Sequence, residues 1–193
     1  CQSSAASDVY KRQVGSNGRG TSEHYGIKGG VDILTGTLGK ALGGASGGFV
    51  CANKSVVELL KQKSRPYLFS NALSPSIVSA TMKALEIVES EPDRRQRIYE
   101  NSKYFRGEMK KLGFEILGTD HPIVPVMLGD AKVAQHMSKK LLENGIYAVG
   151  FFYPVVPKNK ARIRLQINSE HTKEELDKVI DTFKKVGEEL NLL

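Results

Sequence analysis

The sequence predicts an α/β fold followed by a smaller α+β unit, and three observations carry that prediction. Two short apolar runs, Val31-Asp32-Ile33-Leu34 and Phe49-Val50-Cys51-Ala52, flank a glycine-rich loop. Runs of that length bounded by glycine are the pattern of buried strands. Apolar residues then recur at helical spacing between further strand-like runs, as at Ile77, Val78, Met82, Leu85 and Val88. Near the end, Arg162-Ile163-Arg164-Leu165-Gln166-Ile167-Asn168 alternates, which sets the three apolar residues on one strand face and the four polar ones on the other.

In chain order, Val14 to Gly20 is a turn-rich loop ahead of the first strand. After the second strand, Asn53 or Ser55 can cap a short helix that carries Val56, Val57, Leu59 and Leu60 on its apolar side. Tyr67 to Ala72 is expected to be irregular. Ser74-Pro75 opens a longer helix, proline being tolerated in the first turn, and its expected buried stripe is the five-residue one named above. At Glu91-Pro92-Asp93 the composition turns charged and the helix must break or restart. A domain boundary is placed there, giving units 14–91 and 92–193. The second unit reads as a helix from Arg94 to Leu112 closed by Gly113, then strands at Phe114–Leu117 and Ile123–Leu128. A helix from Ala131 to Asn144 closed by Gly145 and strands at Ile146–Phe151 and Arg162–Asn168 follow. Thr172 and Glu175 then form a capping box for a last helix that buries Leu176, Val179, Ile180, Phe183 and Val186.

Composition narrows the function classes. Apolar residues make up 40% and charged residues 25% of the chain, ordinary values for a globular protein. No run of eighteen apolar residues occurs, so no membrane partner is expected. The net charge is +7, but the cations are scattered along helices among glutamates, with no basic stripe and no interleaved aromatics. No nucleic-acid partner is therefore expected, while an anionic substrate would still benefit from the field. Cys1 and Cys51 provide neither a disulfide framework nor zinc spacing, which fits a reducing compartment. His24, His121, His136 and His171 show no ligand spacing, and no metal site is expected.

The loop between the first two strands, Thr35 to Gly48, holds six glycines, two threonines, a serine and one lysine, Lys40. Glycine lets backbone approach a bulky ligand closely. Two readings of Lys40 stand on residue type alone: a solvated loop side chain, or an amine held against a ligand and able to act as nucleophile or base. Nucleotide loops do not fit. A Walker A loop needs glycine where Leu34 stands and serine or threonine where Ala41 stands, and no G-x-G-x-x-G can be placed.

The segment Thr35 to Gly48 resembles the lysine-bearing segment of the α-oxoamine synthases, pyridoxal 5'-phosphate (PLP) enzymes of transferase fold type I. Gly43-Gly44-Ala45-Ser46-Gly47-Gly48, Ser64-Arg65-Pro66-Tyr67-Leu68-Phe69-Ser70-Asn71 and Gly150-Phe151-Phe152-Tyr153-Pro154-Val155-Val156-Pro157 are most similar to the branch that acts on glycine and acetyl-CoA. The similarity runs from about Val14 to the C-terminus. It implies the PLP-dependent transferase fold type I: the end of the large PLP-binding domain, residues 14–91, then the small α+β C-terminal domain, residues 92–193.

The same resemblance implies PLP as cofactor and an acyltransferase that interconverts glycine plus acetyl-CoA with 2-amino-3-oxobutanoate plus CoA. A place in threonine degradation, a homodimer and a cytoplasmic location come with it. By resemblance Lys40 carries the cofactor and moves a proton at the substrate Cα, and Thr37 binds the cofactor phosphate. Ser70 and Asn71 resemble the segment that reaches the phosphate bound by the neighbouring subunit. Arg164 matches the arginine that clamps the substrate carboxylate, a role suited to a planar two-pronged donor. On residue type alone, a surface ion pair is the commoner role of such an arginine. The alternatives are another member of the family with a different acyl partner, as in 8-amino-7-oxononanoate or 5-aminolevulinate synthases, and a non-catalytic interaction fragment.

Ser3 to Gln13 reads SSAASDVYKRQ, the in-frame translation of a common sequencing-library adapter. Residues 1–13 are therefore expected to lie outside the fold. The family's aspartate beneath the pyridine nitrogen, and a histidine near it, would fall around Ala6 and Val9, with Asp8 out of register. The expectation is an incomplete large domain, with an exposed sheet edge, and a chain inactive by itself.

Overall fold

In the computed structural model, residues 15–27, 31–43, 45–119 and 121–193 are described. The adapter-like stretch, with Ala6, Asp8 and Val9, and Gly44 of the glycine loop fall outside the described residues. The chain divides into two compact units, Cys1–Arg95 and Gln96–Leu193.

The first unit opens with a loop gathered by one carboxylate. Glu23, in the short helix α1 (Thr21–His24), accepts hydrogen bonds from the backbone N–H groups of Asn17 and Arg19 and from Asn17 Nδ2 at 2.6 Å. The Arg19 N–H, and then the Asn17 side chain, hold the Glu23 pKa below the usual carboxylate value. Strands β1 (Ile33–Thr37) and β2 (Gly48–Ala52) form an antiparallel ribbon with Ile33 opposite Ala52 and Thr37 opposite Gly48. The first strand thus starts two residues later than expected and takes in Thr35, Gly36 and Thr37. It is not buried: Val31 is 54% and Ile33 49% exposed. A two-stranded ribbon presents both faces and has too little area to bury either by itself.

Local caps set the helices that follow. Helix α2 (Lys54–Lys63) is capped by Asn53, whose side chain accepts from Val56 N–H, while Ser55 only donates to that Asn53 oxygen. Of the segment expected to be irregular, Ser70 to Ala72 is so, while Tyr67 to Phe69 ends a short helix, α3 (Arg65–Phe69), which follows an extended Ser64 and has Pro66 in its first turn. Helix α4 (Pro75–Ser90) starts behind the Ser74 cap as expected. Its inner face differs from the expected stripe. Val78 and Met82 are 40% and 60% exposed, and Thr81 is the only fully buried residue of this helix. Steps of four, three and four residues place Ile77, Thr81, Ala84 and Val88 on one line, with Val78 and Met82 about 100° away from it.

The second unit holds the core. Helix α5 (Pro92–Lys111) starts at Pro92 and ends before Gly113, which takes φ +101° as the closing residue. A three-stranded antiparallel sheet, in order β3-β5-β4, is made by β3 (Ile123–Gly129), β4 (Val149–Phe151) and β5 (Ala161–Gln166). Helices α6 (Ala131–Glu143) and α7 (Lys173–Glu189) pack with it. Phe105 and Met109 from α5, Val124 and Val126 from β3, Met137 and Leu141 from α6, and Ile180, Phe183 and Val186 from α7 meet in one cluster with Ile163. Phe114 and Phe183 cross edge to face at 5.9 Å.

Two expected strands are shorter than their sequence pattern. Phe114 to Leu117 makes one bridge, Ile116 to Val126, and lies between two positive-φ glycines, Gly113 and Gly118. The run from Ile146 pairs only from Val149, because Ile146 N–H is bonded to Leu141 O at the end of α6. The capping box of α7 forms as expected: Thr172 accepts from Glu175 N–H, and the Glu175 side chain accepts from Thr172 N–H.

Across α5 and α7, the Tyr104 hydroxyl donates to Asp177 Oδ1, with Lys173 Nζ 5.3 Å from the ring centre. That hydrogen bond to a carboxylate, with desolvation behind it, pushes the Tyr104 pKa from its ordinary 10.0 up to about 12. A folded pKa above the unfolded one stabilises fully below about pH 10, and the stabilisation is lost as pH rises through about 12. Tyr104→Phe should therefore lower stability at neutral pH and narrow its gap to the wild type between those two values. Urea midpoints at neutral and high pH check this; a gap that stays constant rejects it.

Candidate active site

The glycine loop is held at its base and at two buried leucines. Leu38 N–H bonds Gly47 O at 2.9 Å, and the Thr37 hydroxyl accepts from Gly39 N–H at 3.2 Å while donating weakly to Gly47 O at 3.4 Å. Leu38 and Leu42 are buried at 5% and 4% exposure and anchor the loop from within. Lys40 lies between them with its side chain exposed, and its carbonyl accepts Gly43 N–H at 2.9 Å.

An added side chain would press on backbone at two places here. A Cβ on Gly48 would come 2.8 Å from Gly36 O, and one on Gly39 would come 3.0 Å from Ala45 O. At these points the loop closes backbone against backbone, and Lys40 between them is exposed. The loop thus carries an exposed lysine three residues after a strand-end hydroxyl, an amine that can engage a carbonyl group and a hydroxyl that can donate to an anionic group.

The other expected site residues lie elsewhere. Ser70 and Asn71 are exposed on the segment after α3, where Ser70 N–H bonds Pro66 O at 3.2 Å. Arg164 is on β5 in the second unit, between Pro125 of β3 and Val149 of β4. Its side chain is exposed, as alternation requires, while Ile163 and Ile167 are buried. Its guanidinium carbon sits 4.2 Å from the centre of the Phe151 ring. A cavity of about 510 Å³ in this unit is bounded by Arg164 and Gln166, by His171 and Lys178, and by apolar residues that include Phe105 and Val179. Among the described residues, no group of three histidine, cysteine or acidic side chains could hold a metal ion. No described helix is long and apolar enough to cross a membrane.

Two residues escaped the sequence reading. Phe151 was legible as a strand end and as a member of a resembling segment, but its place beside Arg164 depends on strand register. Arg106 looked like one more helix cation, yet it is 3% exposed and its guanidinium donates to four backbone carbonyls.

Residues 8–183 match the family model described as "Aminotransferase class I and II". The chain is 54% identical over 180 residues to 2-amino-3-ketobutyrate coenzyme A ligase of Salmonella typhimurium, covering 93% of this chain and 45% of that protein. It is 48% identical over 180 residues to 8-amino-7-oxononanoate synthase of Thermosipho melanesiensis, covering 93% and 46%. A serine palmitoyltransferase of S. paucimobilis solved with bound PLP and myriocin superposes with a TM-score of 0.89 at 30% identity, over 96% of this chain and 47% of that one. The chain thus spans about half the length of the relatives it matches.

Proposed function

Because the chain belongs to the aminotransferase class I and II family, we propose that the whole protein is a PLP-dependent glycine C-acetyltransferase. It interconverts glycine plus acetyl-CoA with 2-amino-3-oxobutanoate plus CoA. The observation that carries this reading is the 54% identity to 2-amino-3-ketobutyrate coenzyme A ligase over nearly the whole chain. The finer context is also our reading: threonine degradation to glycine, a homodimer and a cytoplasmic location.

The residues present fit the cofactor. Lys40 offers an exposed primary amine for its aldehyde, and the Thr37 hydroxyl, spent only on a weak bond, offers a donor for its phosphate. Ser70 and Asn71, exposed and polar, suit a phosphate bound by a neighbouring subunit. When bound, PLP supplies an electron sink for the pair left when the glycine Cα proton departs. Lys40 Nζ takes that proton and returns one to the product carbon, which requires an unprotonated amine at the moment of transfer. Arg164 presents paired N–H donors to the glycine carboxylate.

The test is glycine-dependent release of free thiol from acetyl-CoA by the full-length protein. Release with glycine and acetyl-CoA in preference to longer acyl-CoA thioesters is expected. Release only with longer thioesters, or only with another amino acid, would move the protein to a different acyl-transfer reaction.

A further inference from the structure

Arg164 has an exposed side chain on β5, and among the described residues it makes no ion pair or side-chain hydrogen bond. A long guanidinium arm in that situation samples several rotamers, and ordering it on binding costs affinity. One contact restrains it. The register sets Val149 opposite Arg164 and Phe151 opposite Arg162, so Phe151 is the diagonal neighbour of Arg164 on the same sheet face. The guanidinium carbon lies over the Phe151 ring, 4.2 Å from its centre. That is well inside the range of a cation–π contact.

The form of this contact matters for recognition. All five N–H donors of a guanidinium lie at the edge of its plane, so resting it on an aromatic ring leaves the carboxylate-binding fork available. An acidic partner would hold the arm equally well, but would occupy that fork and repel an incoming carboxylate. Phe151 is itself only half-buried, on a three-residue edge strand. It is absent from the buried cluster of this unit, so its role is not to fill the core.

We propose that Phe151 is a positioning residue for substrate carboxylate recognition: its ring preorganises Arg164 with the donor edge open. This rests on the reading of Arg164 as the carboxylate clamp. The substrate class it serves is a small α-amino acid whose free carboxylate meets Arg164.

Three variants of the full-length protein test the proposal: Phe151→Leu, Phe151→Tyr and Arg164→Lys. In Phe151→Leu the KM for glycine should rise about two- to thirtyfold. The KM for acetyl-CoA and kcat should stay within about twofold. Phe151→Tyr, which keeps a ring, should restore the glycine KM. A readout independent of turnover is the Arg164 Nε–H proton resonance without added cofactor. Ring current should shift it upfield in wild type and Phe151→Tyr, and the shift should vanish in Phe151→Leu. An unchanged glycine KM in Phe151→Leu beside a raised one in Arg164→Lys rejects the positioning role alone. A normal glycine KM in Arg164→Lys rejects the clamp, and the proposal falls with it. A parallel rise in both KM values with a fall in kcat would mark Phe151 as merely structural and also overturn the proposal.

Discussion

Lys40→Ala in the full-length protein should lower glycine-dependent thiol release by at least about 10⁴-fold, since the change removes both the cofactor-bearing amine and the Cα base. The loop geometry makes this a clean substitution. Lys40 is exposed, whereas its neighbours Leu38 and Leu42 carry the loop's burial and the Leu38–Gly47 hydrogen bond closes its base. Truncating an exposed side chain there should leave stability within about 0.5 kcal/mol. Loss of activity without loss of fold is therefore the expected signature. Borohydride treatment of the wild-type protein with PLP should attach the cofactor covalently, and peptide mapping should find it on Lys40. Label on another lysine, or a Lys40→Ala variant within tenfold of wild type, would remove Lys40 from the mechanism. A variant that loses activity and unfolds together would show that Lys40 supports the loop.

What could be read in the sequence follows from how local each signal is. The caps at Asn53, Ser74 and Thr172 act on backbone two or three residues away, and each lies where sequence places it. Alternation along β5 needs only period two, which put Arg164 on the outer face and Ile163 in the core. Six glycines in one loop drew attention to Lys40 and Thr37, while the roles given to them come from the family resemblance. The misses are non-local. Helix α4 turns a face that periodicity alone left a fraction of a turn wrong, since apolar residues continue around it at Val78 and Met82. The stretch Phe114–Leu117 makes a single bridge to β3, and the positive φ angles of the two glycines that flank it are set by the fold. The contact of Phe151 with Arg164 requires the register of two strands separated by a nine-residue loop. Sequence pattern carries no register across such a loop.

Arg106→Met should destabilise the second unit by about 3–5 kcal/mol, because several carbonyls lose charge-assisted hydrogen bonds at once. Arg106 is 3% exposed in the middle of α5. Its Nε and Nη2 donate to His121 O at 3.1 and 2.7 Å, Nη1 to Leu117 O and Gly118 O at 3.0 Å each, and Nη2 to Ile123 O at 2.6 Å. The guanidinium thereby satisfies carbonyls of the connection at Leu117, Gly118 and His121 together with that of Ile123, the first residue of β3. Methionine fills a similar volume but leaves those acceptors short of donors, each a cost of about 1–3 kcal/mol where water cannot replace the arginine. Arg106→Lys should recover only part of the loss, because a single ammonium cannot span carbonyls spread around a planar fork. Against a total stability of about 5–15 kcal/mol, the methionine change should be plain in a urea midpoint. Amide exchange should localise it: Val124 and Val126 should lose protection together with Leu165 and Ile163 opposite them. A loss under about 1 kcal/mol, or exchange confined to residues 117–121, would show that water satisfies the loop and that β3 does not depend on Arg106.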